Sequence, residues 1–360
     1  MTWDIPLTDV ILDEEDIQAV GDCLRSGWLT MGPRTKAFEE AVAAKAGLPH
    51  AVAVSSGTAA LHLACAALGL QPGDEVIVPA FTFLASANAP RYRGATPVLC
   101  DVISPQNPNI DPADVARKLT PRTKAIIAVH MLGYPADLQA LKQFGLPIIE
   151  DAAQGFGVAN LGDSTITCLS FFSKKQLAVG EGGMVLTRDE ALAARVRLLR
   201  SHAMTSGTWD RHRGHEDSYD VVDFGFNFRL DEPRAALGLS RLPKVQGEIE
   251  HRRAIVRAYR ERLDNPLYDD VERSAHFAFA VLFEDVATRV KVREALADAK
   301  IQTTRYPALQ KLTEFARFDT GLPNAEQAAE RHLALPLSAH TTLEQVERVT
   351  RVVLAASGRA

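Results

Sequence analysis

Short runs of consecutive apolar residues recur through the first two-thirds of the chain. The clearest lie at 51–54, 76–78, 97–99, 125–129, 147–149 and 184–186, most of them rich in Val and Ile. Apolar runs without polar alternation predict strands covered on both faces. Between several of them, and after the last, lie longer amphipathic stretches at 58–68, 137–143 and 190–199, spaced as helices that bury one face. Strands alternating with helices predict an α/β fold with a mostly parallel sheet between helical layers. After about Gly214 the rhythm changes. A polar stretch rich in His and Arg leads to Phe224-Gly225-Phe226-Asn227-Phe228-Arg229. Helices are predicted at 234–242, 244–263, 290–299 and 343–355, with a strand at 276–283. The expected organisation is an N-terminal arm and large domain over 1–242 and a smaller α+β domain over 243–360.

Composition narrows the function classes. The 360 residues are 46% hydrophobic and 24% charged, as in an ordinary globular protein. Forty Lys and Arg against 45 Asp and Glu leave a net charge of −5, so no basic excess suggests nucleic acid or a membrane surface as partner. Cys23, Cys65, Cys100 and Cys168 are widely spaced and form no CxxC pair, which speaks against zinc and against a disulfide framework. His202, His212 and His215 lack compact ligand spacing, and no metal is expected. The first 16 residues carry acids and a proline where an export signal needs a basic end and an apolar core. No apolar stretch is long enough to span a bilayer. A cytoplasmic enzyme is the expectation.

Four motifs carry candidate chemistry. Ser55-Ser56-Gly57-Thr58 follows a strand and opens a helix, where small residues and free N–H groups suit a phosphate; an ordinary turn with an N-cap would look the same. Glu150-Asp151-Ala152-Ala153-Gln154 puts a carboxylate at the carboxyl end of a strand, where α/β sheets hold ligands. A buried Asp151 there needs a cationic partner such as a protonated pyridine, although a helix cap is the plain alternative. Lys174 and Lys175 stand between Ser170-Phe171-Phe172 and Gly180-Glu181-Gly182-Gly183. A lysine confined in that way suits Schiff-base chemistry, and adjacency leaves open which of the two it is. Phe83, after the strand at 76–78, could stack on a planar ring.

In order and spacing these motifs resemble the DegT/DnrJ/EryC1/StrS family of fold-type-I, pyridoxal-phosphate-dependent sugar aminotransferases. The resemblance runs from Ile5-Pro6-Leu7 and the 26–33 segment through 56–61, 79–87, 150–154 and 170–183 to Gly225-Phe226-Asn227-Phe228-Arg229. It implies that Lys175 forms the imine with the cofactor and shuttles the proton, while Lys174 points elsewhere. It implies that Asp151 pairs with the pyridine nitrogen, Gln154 reaches the phenolic oxygen and Phe83 stacks on the ring. Gly57, Thr58 and Ser170 would hold the phosphate, with Asn227 entering from the partner of a homodimer. Thr30, Met31, His130, Arg229 and Tyr306 are candidate substrate contacts, and 209–215 is a candidate source of cations for a diphosphate. The implied reaction moves an amino group from an amino acid, commonly L-glutamate, to a keto-sugar, usually nucleotide-linked. A keto-cyclitol acceptor, or a dehydratase or lyase reaction, is the alternative.

Two departures from the family pattern stand out. Gln176 follows the lysine where Asn is common, a change expected to matter little. Arg305-Tyr306-Pro307-Ala308-Leu309-Gln310 replaces a motif that has His at both ends, in a region that tends to touch the substrate.

Overall fold

The computed structural model describes residues 2–206, 212, 214, 218–264, 266–268 and 270–358. An N-terminal arm leads to α1 (Glu14–Arg25) and α2 (Pro33–Ala46). There follow β1 (His50–Val54), α3 (Gly57–Ala67), β2 (Glu75–Pro79), α4 (Leu84–Arg91), β3 (Thr96–Cys100) and α5 (Pro112–Lys118). Next come β4 (Thr123–Val129), α6 (Leu138–Lys142), β5 (Ile148–Asp151), β6 (Ile166–Ser170), β7 (Gly183–Thr187) and α7 (Glu190–Arg200). The last third holds α8 (Glu232–Arg241), α9 (Val245–Arg260), β8 (Phe279–Leu282), α10 (Val286–Asp298), α11 (Pro323–Arg331), β9 (His332–Leu335) and α12 (Leu343–Ser357).

Strands β1 to β7 form one sheet in the order β1-β7-β6-β5-β4-β2-β3. Only β7 runs antiparallel to its neighbours β1 and β6; the other pairings are parallel. Both faces are buried, which is why the strands read as unbroken apolar runs. Along β1, Val52 and Val54 join a core with Leu61 and Leu63 of α3. Ala51 and Ala53 turn the other way, toward Phe38 and Val42 of α2. Truncating a fully buried ring such as Phe38 to Ala would cost about 3–5 kcal/mol.

The six apolar runs read from the sequence are six of these seven strands. The seventh, β6, ends at Ser170, where the segment leading to the two lysines begins. The helices at 58–68, 137–143, 190–199, 234–242 and 343–355 match within a few residues, and α10 starts earlier than expected because Asp285 caps it at Val286. The 276–283 strand is shorter than expected. Only Phe279–Leu282 pairs, because His276 turns the chain with φ 45°. Helices α1, α2, α4, α5 and α11 and strand β9 were not foreseen.

The two-stranded β8–β9 sheet lies between two cores. Phe279 and Val281 face Tyr259, Leu296 and Val349, whereas Ala278, Ala280 and Leu282 pack into the core of the large sheet. The expected division at 242/243 falls on the 3-10 turn Leu242–Lys244. The N-terminal arm crosses over to the C-terminal region: Ile5 pairs with Ile301, and the Leu337 N–H donates to the Leu7 carbonyl at 2.9 Å.

Candidate active site

The carboxyl ends of β4, β5 and β6 and the N-terminus of α3 open on a cavity of about 440 Å3. Its wall includes Ser56, Gly57, Thr58, Phe83, Asp151, Gln154, Ser170, Lys174 and Lys175. Four motifs separated by up to 120 residues of chain thus meet in one place.

The α3 end is built for an anion. The Ser56 hydroxyl accepts the Ala59 N–H at 3.1 Å, and among the described residues the N–H groups of Gly57 and Thr58 have no partner. Free N–H groups at a helix start favour a phosphate. The approach is close: a Cβ on Gly57 would stand 2.8 Å from Ser170 Cβ, and one on Gly183 would stand 2.4 Å from the Ser56 carbonyl. Glycine at both positions lets α3 reach the ends of β6 and β7.

Asp151 ends β5 nearly buried. Its Oδ2 accepts the Ser86 hydroxyl at 2.7 Å, and its Oδ1 accepts the Ala153 N–H at 3.1 Å. Burial pushes its carboxyl above the usual range, and these two hydrogen bonds only partly offset that. Among the described residues no cation lies within 4 Å of it, so the site holds a carboxylate short of a positive partner. Behind it, fully buried Glu150 points to the opposite face of the sheet. It accepts hydrogen bonds from His130 Nε2, Ser164, Thr167 and the Gly162 N–H.

Lys175 is partly buried, and its Nζ lies 4.3 Å from the centre of the Phe277 ring. Burial lowers its pKa from 10.5 to about 8, with Asp151 pulling in the opposite direction. That leaves about a tenth of the amine neutral at pH 7, far more than in a free lysine, and the neutral form is what an amine nucleophile needs. Lys174 does not point wholly elsewhere, since it also reaches the cavity wall, but it is exposed. The Gln154 side-chain oxygen accepts the Leu132 N–H at 2.7 Å, which leaves its NH2 group to serve the cavity. The Phe83 ring, 61% exposed, stands at the lip.

Of the five candidate substrate contacts, only Tyr306 lines the cavity of this chain. His130 is turned away: Nε2–H is held by Glu150, Nδ1 accepts the Ala136 N–H at 2.9 Å, and the ring is fully buried. Thr30 and Met31 precede α2 on the outside of the molecule, and Arg229 lies along the Val54 edge of the sheet. Asn227 is exposed, also away from the cavity of its own chain. The 209–215 stretch lies outside the described residues apart from His212 and Gly214. Sequence reading missed Phe277, Ser86 and the arm residues Leu7 and Thr8, which complete the wall or support Asp151. Ser86 sat within a matched segment, whereas nothing local marks Phe277.

The residues fit pyridoxal phosphate on chemistry alone. An unpartnered helix start suits the phosphate, a buried carboxylate without a cation suits a protonated pyridine, and a confined amine suits the aldehyde. On this sheet, that donor set defines a fold-type-I pyridoxal-phosphate enzyme. The pattern of the DegT/DnrJ/EryC1/StrS aminotransferase family matches residues 10–354, and the chain belongs to that family. It is a pyridoxal-phosphate-dependent aminotransferase. The spore coat polysaccharide biosynthesis protein SpsC of Bacillus subtilis is 35% identical over 97% of this chain and 96% of its own length. The putative sugar aminotransferase Spr1654 of Streptococcus pneumoniae, solved in PMP and PLP forms, superposes in its PMP form with a TM-score of 0.92. That pair shares 27% identity over 99% of this chain and 100% of the other. DesV of S. venezuelae gives 0.91 at 32% identity, with both chains covered completely.

Proposed function

We propose that this aminotransferase takes an amino group from L-glutamate and delivers it to the keto group of a nucleotide-linked sugar. It would act as a cytoplasmic homodimer. The observation that carries the reading is the pairing of a confined, readily deprotonated Lys175 with a buried Asp151 in one cavity. The sugar acceptor is supported by the relatives, among them a polysaccharide biosynthesis protein and a putative sugar aminotransferase. The dimer is supported by Asn227, exposed and away from its own cavity, and by exposed apolar side chains at Phe224, Val222 and Phe83. A second copy would bring Asn227, and with it Thr30, Met31 and Arg229, to the rim of its partner's cavity.

Bound here, pyridoxal phosphate supplies a carbon that bonds the amino nitrogen and a ring that accepts the electron pair of a broken C–H bond. The rest falls to this chain. Gly57, Thr58 and Ser170 would hold the phosphate, and Asp151 would keep a proton on the pyridine nitrogen. Gln154 would donate to the phenolic oxygen, and Phe83 would cover the ring. Lys175 Nζ would be the amine that holds the cofactor and, once released by the donor amine, the base that takes the donor's α-proton and gives it back within the site. With the keto acceptor it would serve in the opposite order. Phe277 and Tyr306 shelter this exchange from water.

The test is the absorbance spectrum of the charged protein before and after L-glutamate alone. The visible band should fall as the amino group is taken up, with no acceptor present. A band that glutamate leaves unmoved points to another donor or to elimination chemistry. Failure to bind pyridoxal phosphate overturns the reading.

A further inference from the structure

The turn that carries Lys175 continues into Gln176, whose side chain is 1% exposed. Its Nε2 group donates to the Gln154 carbonyl at 2.7 Å and to the Ala275 carbonyl at 3.4 Å. Each acceptor belongs to a segment that shapes the cavity. Gln154 carries the amide aimed inward, and two residues beyond Ala275 stands Phe277, whose ring lies against Lys175 Nζ. One buried amide therefore ties together three stretches of chain that are remote in sequence.

The junction it closes is tight and strained. The Ala275 N–H donates to the Gly133 carbonyl at 2.8 Å. A Cβ on Gly133, whose φ is 87°, would meet the Phe277 nitrogen at 2.6 Å. Leu132 and His276, on either side of this approach, carry φ of 59° and 45°. Left-handed conformations at residues with side chains persist only where the surroundings hold them, and they gather where geometry serves a site. Gln176 supplies such a hold from a third direction. Its Oε1 is buried and has no partner among the described residues, so the amide is oriented by its donor end alone.

We propose that Gln176 is a positioning residue for amino transfer: its amide sets the Lys175 amine, the Gln154 amide and the Phe277 ring as one unit. The proposal rests on the functional reading above for the identity of Lys175 as the reacting amine. It also revises the expectation that Gln at this position matters little. Asn, one methylene shorter, could not span both carbonyls from the same backbone.

Two measurements test it. The first is limited acylation of the cofactor-free protein across roughly pH 6 to 11, with the extent at Lys175 read by peptide mass spectrometry and Lys174 in the same peptide as reference. The second is the Kd for pyridoxal phosphate. Gln176→Met keeps length and volume but removes both donors. It should move the Lys175 midpoint from about 8 upward by roughly one unit and weaken cofactor binding roughly tenfold. Gln176→Asn should fall between it and the wild type. A folded Gln176→Met protein with an unmoved Lys175 midpoint overturns the proposal, even if its Tm falls, and leaves Gln176 a packing residue. If Gln176→Met does not fold, Gln176→Asn decides: a midpoint and Kd equal to the wild type overturn it. The acylation uses no cofactor, so it remains decisive even if a wild-type protein that fails to bind pyridoxal phosphate sinks the functional reading.

Discussion

Lys174 and Lys175 are adjacent, and what separates them is their surroundings. Lys175→Ala should lower amino transfer at least ~10³-fold, because the proposed mechanism makes it both the covalent anchor and the proton carrier; Lys174→Ala should stay within about tenfold of wild type in the same assay. Burial also links Lys175 to stability. Below pH ~8 it is protonated whether the chain is folded or not, so the folded state bears the full cost of a buried ammonium. Between about 8 and 10.5 the folded state releases that proton while the unfolded state keeps it. Unfolding free energy of the cofactor-free protein, measured against Lys175→Met, should therefore rise across this window and level off on either side. Asp151 behaves in the opposite sense. Its raised pKa means that ionisation above the usual carboxylate range weighs against the folded state. Asp151→Asn should leave the cofactor-free protein at least as stable at neutral pH, while pyridoxal phosphate binds more weakly. A loss of stability measured by denaturant titration would show that the Ser86 and Ala153 hydrogen bonds outweigh burial.

Among the elements, α3 was legible and α2 was not. Ser56, Gly57 and the apolar run behind them mark a strand–turn–helix, whereas the caps Asp111, Asp189 and Thr342 of α5, α7 and α12 became visible only in the structure. Helix α2 begins at Gly32, which offers no side-chain cap. Its free N–H groups are satisfied instead by Glu232, 200 residues away. That buried carboxylate accepts from the Gly32, Arg34 and Thr35 N–H groups at 2.7–2.9 Å and from the Thr35 hydroxyl at 2.7 Å. Removing it strands buried donors, so Glu232→Ala should cost about 3 kcal/mol or more in unfolding free energy. An unchanged unfolding midpoint would show that water replaces it. At the other end of the same logic, Gly57→Ala forces α3 away from Ser170 and should weaken cofactor binding beyond tenfold with a smaller effect on stability.

At the scale of the whole molecule, the proposed two-chain site makes a demanding prediction. Lys175→Ala and Asn227→Ala chains, each impaired alone, should recover activity when mixed and refolded, because one site of the mixed dimer regains both residues. No recovery in a confirmed mixed dimer would place Asn227 outside the site. The chain by itself determined most of the strands, the strand–turn–helix at Ser56 and the four motifs, because these depend on local periodicity and on residue types whose chemistry shows at short range. It also carried the family's order of segments, and with it the cofactor. It could not tell Lys175 from Lys174 by composition, since that difference is one of burial and of the Phe277 ring arriving from 102 positions downstream. Nor could it show that His130 faces Glu150 and not the cavity, that Glu232 caps α2, or that Gln176 joins three segments. Those outcomes depend on which face of a strand or turn a side chain takes and on what packs against it. Only the closing of the sheet, with the C-terminal segment docked on it, decided them.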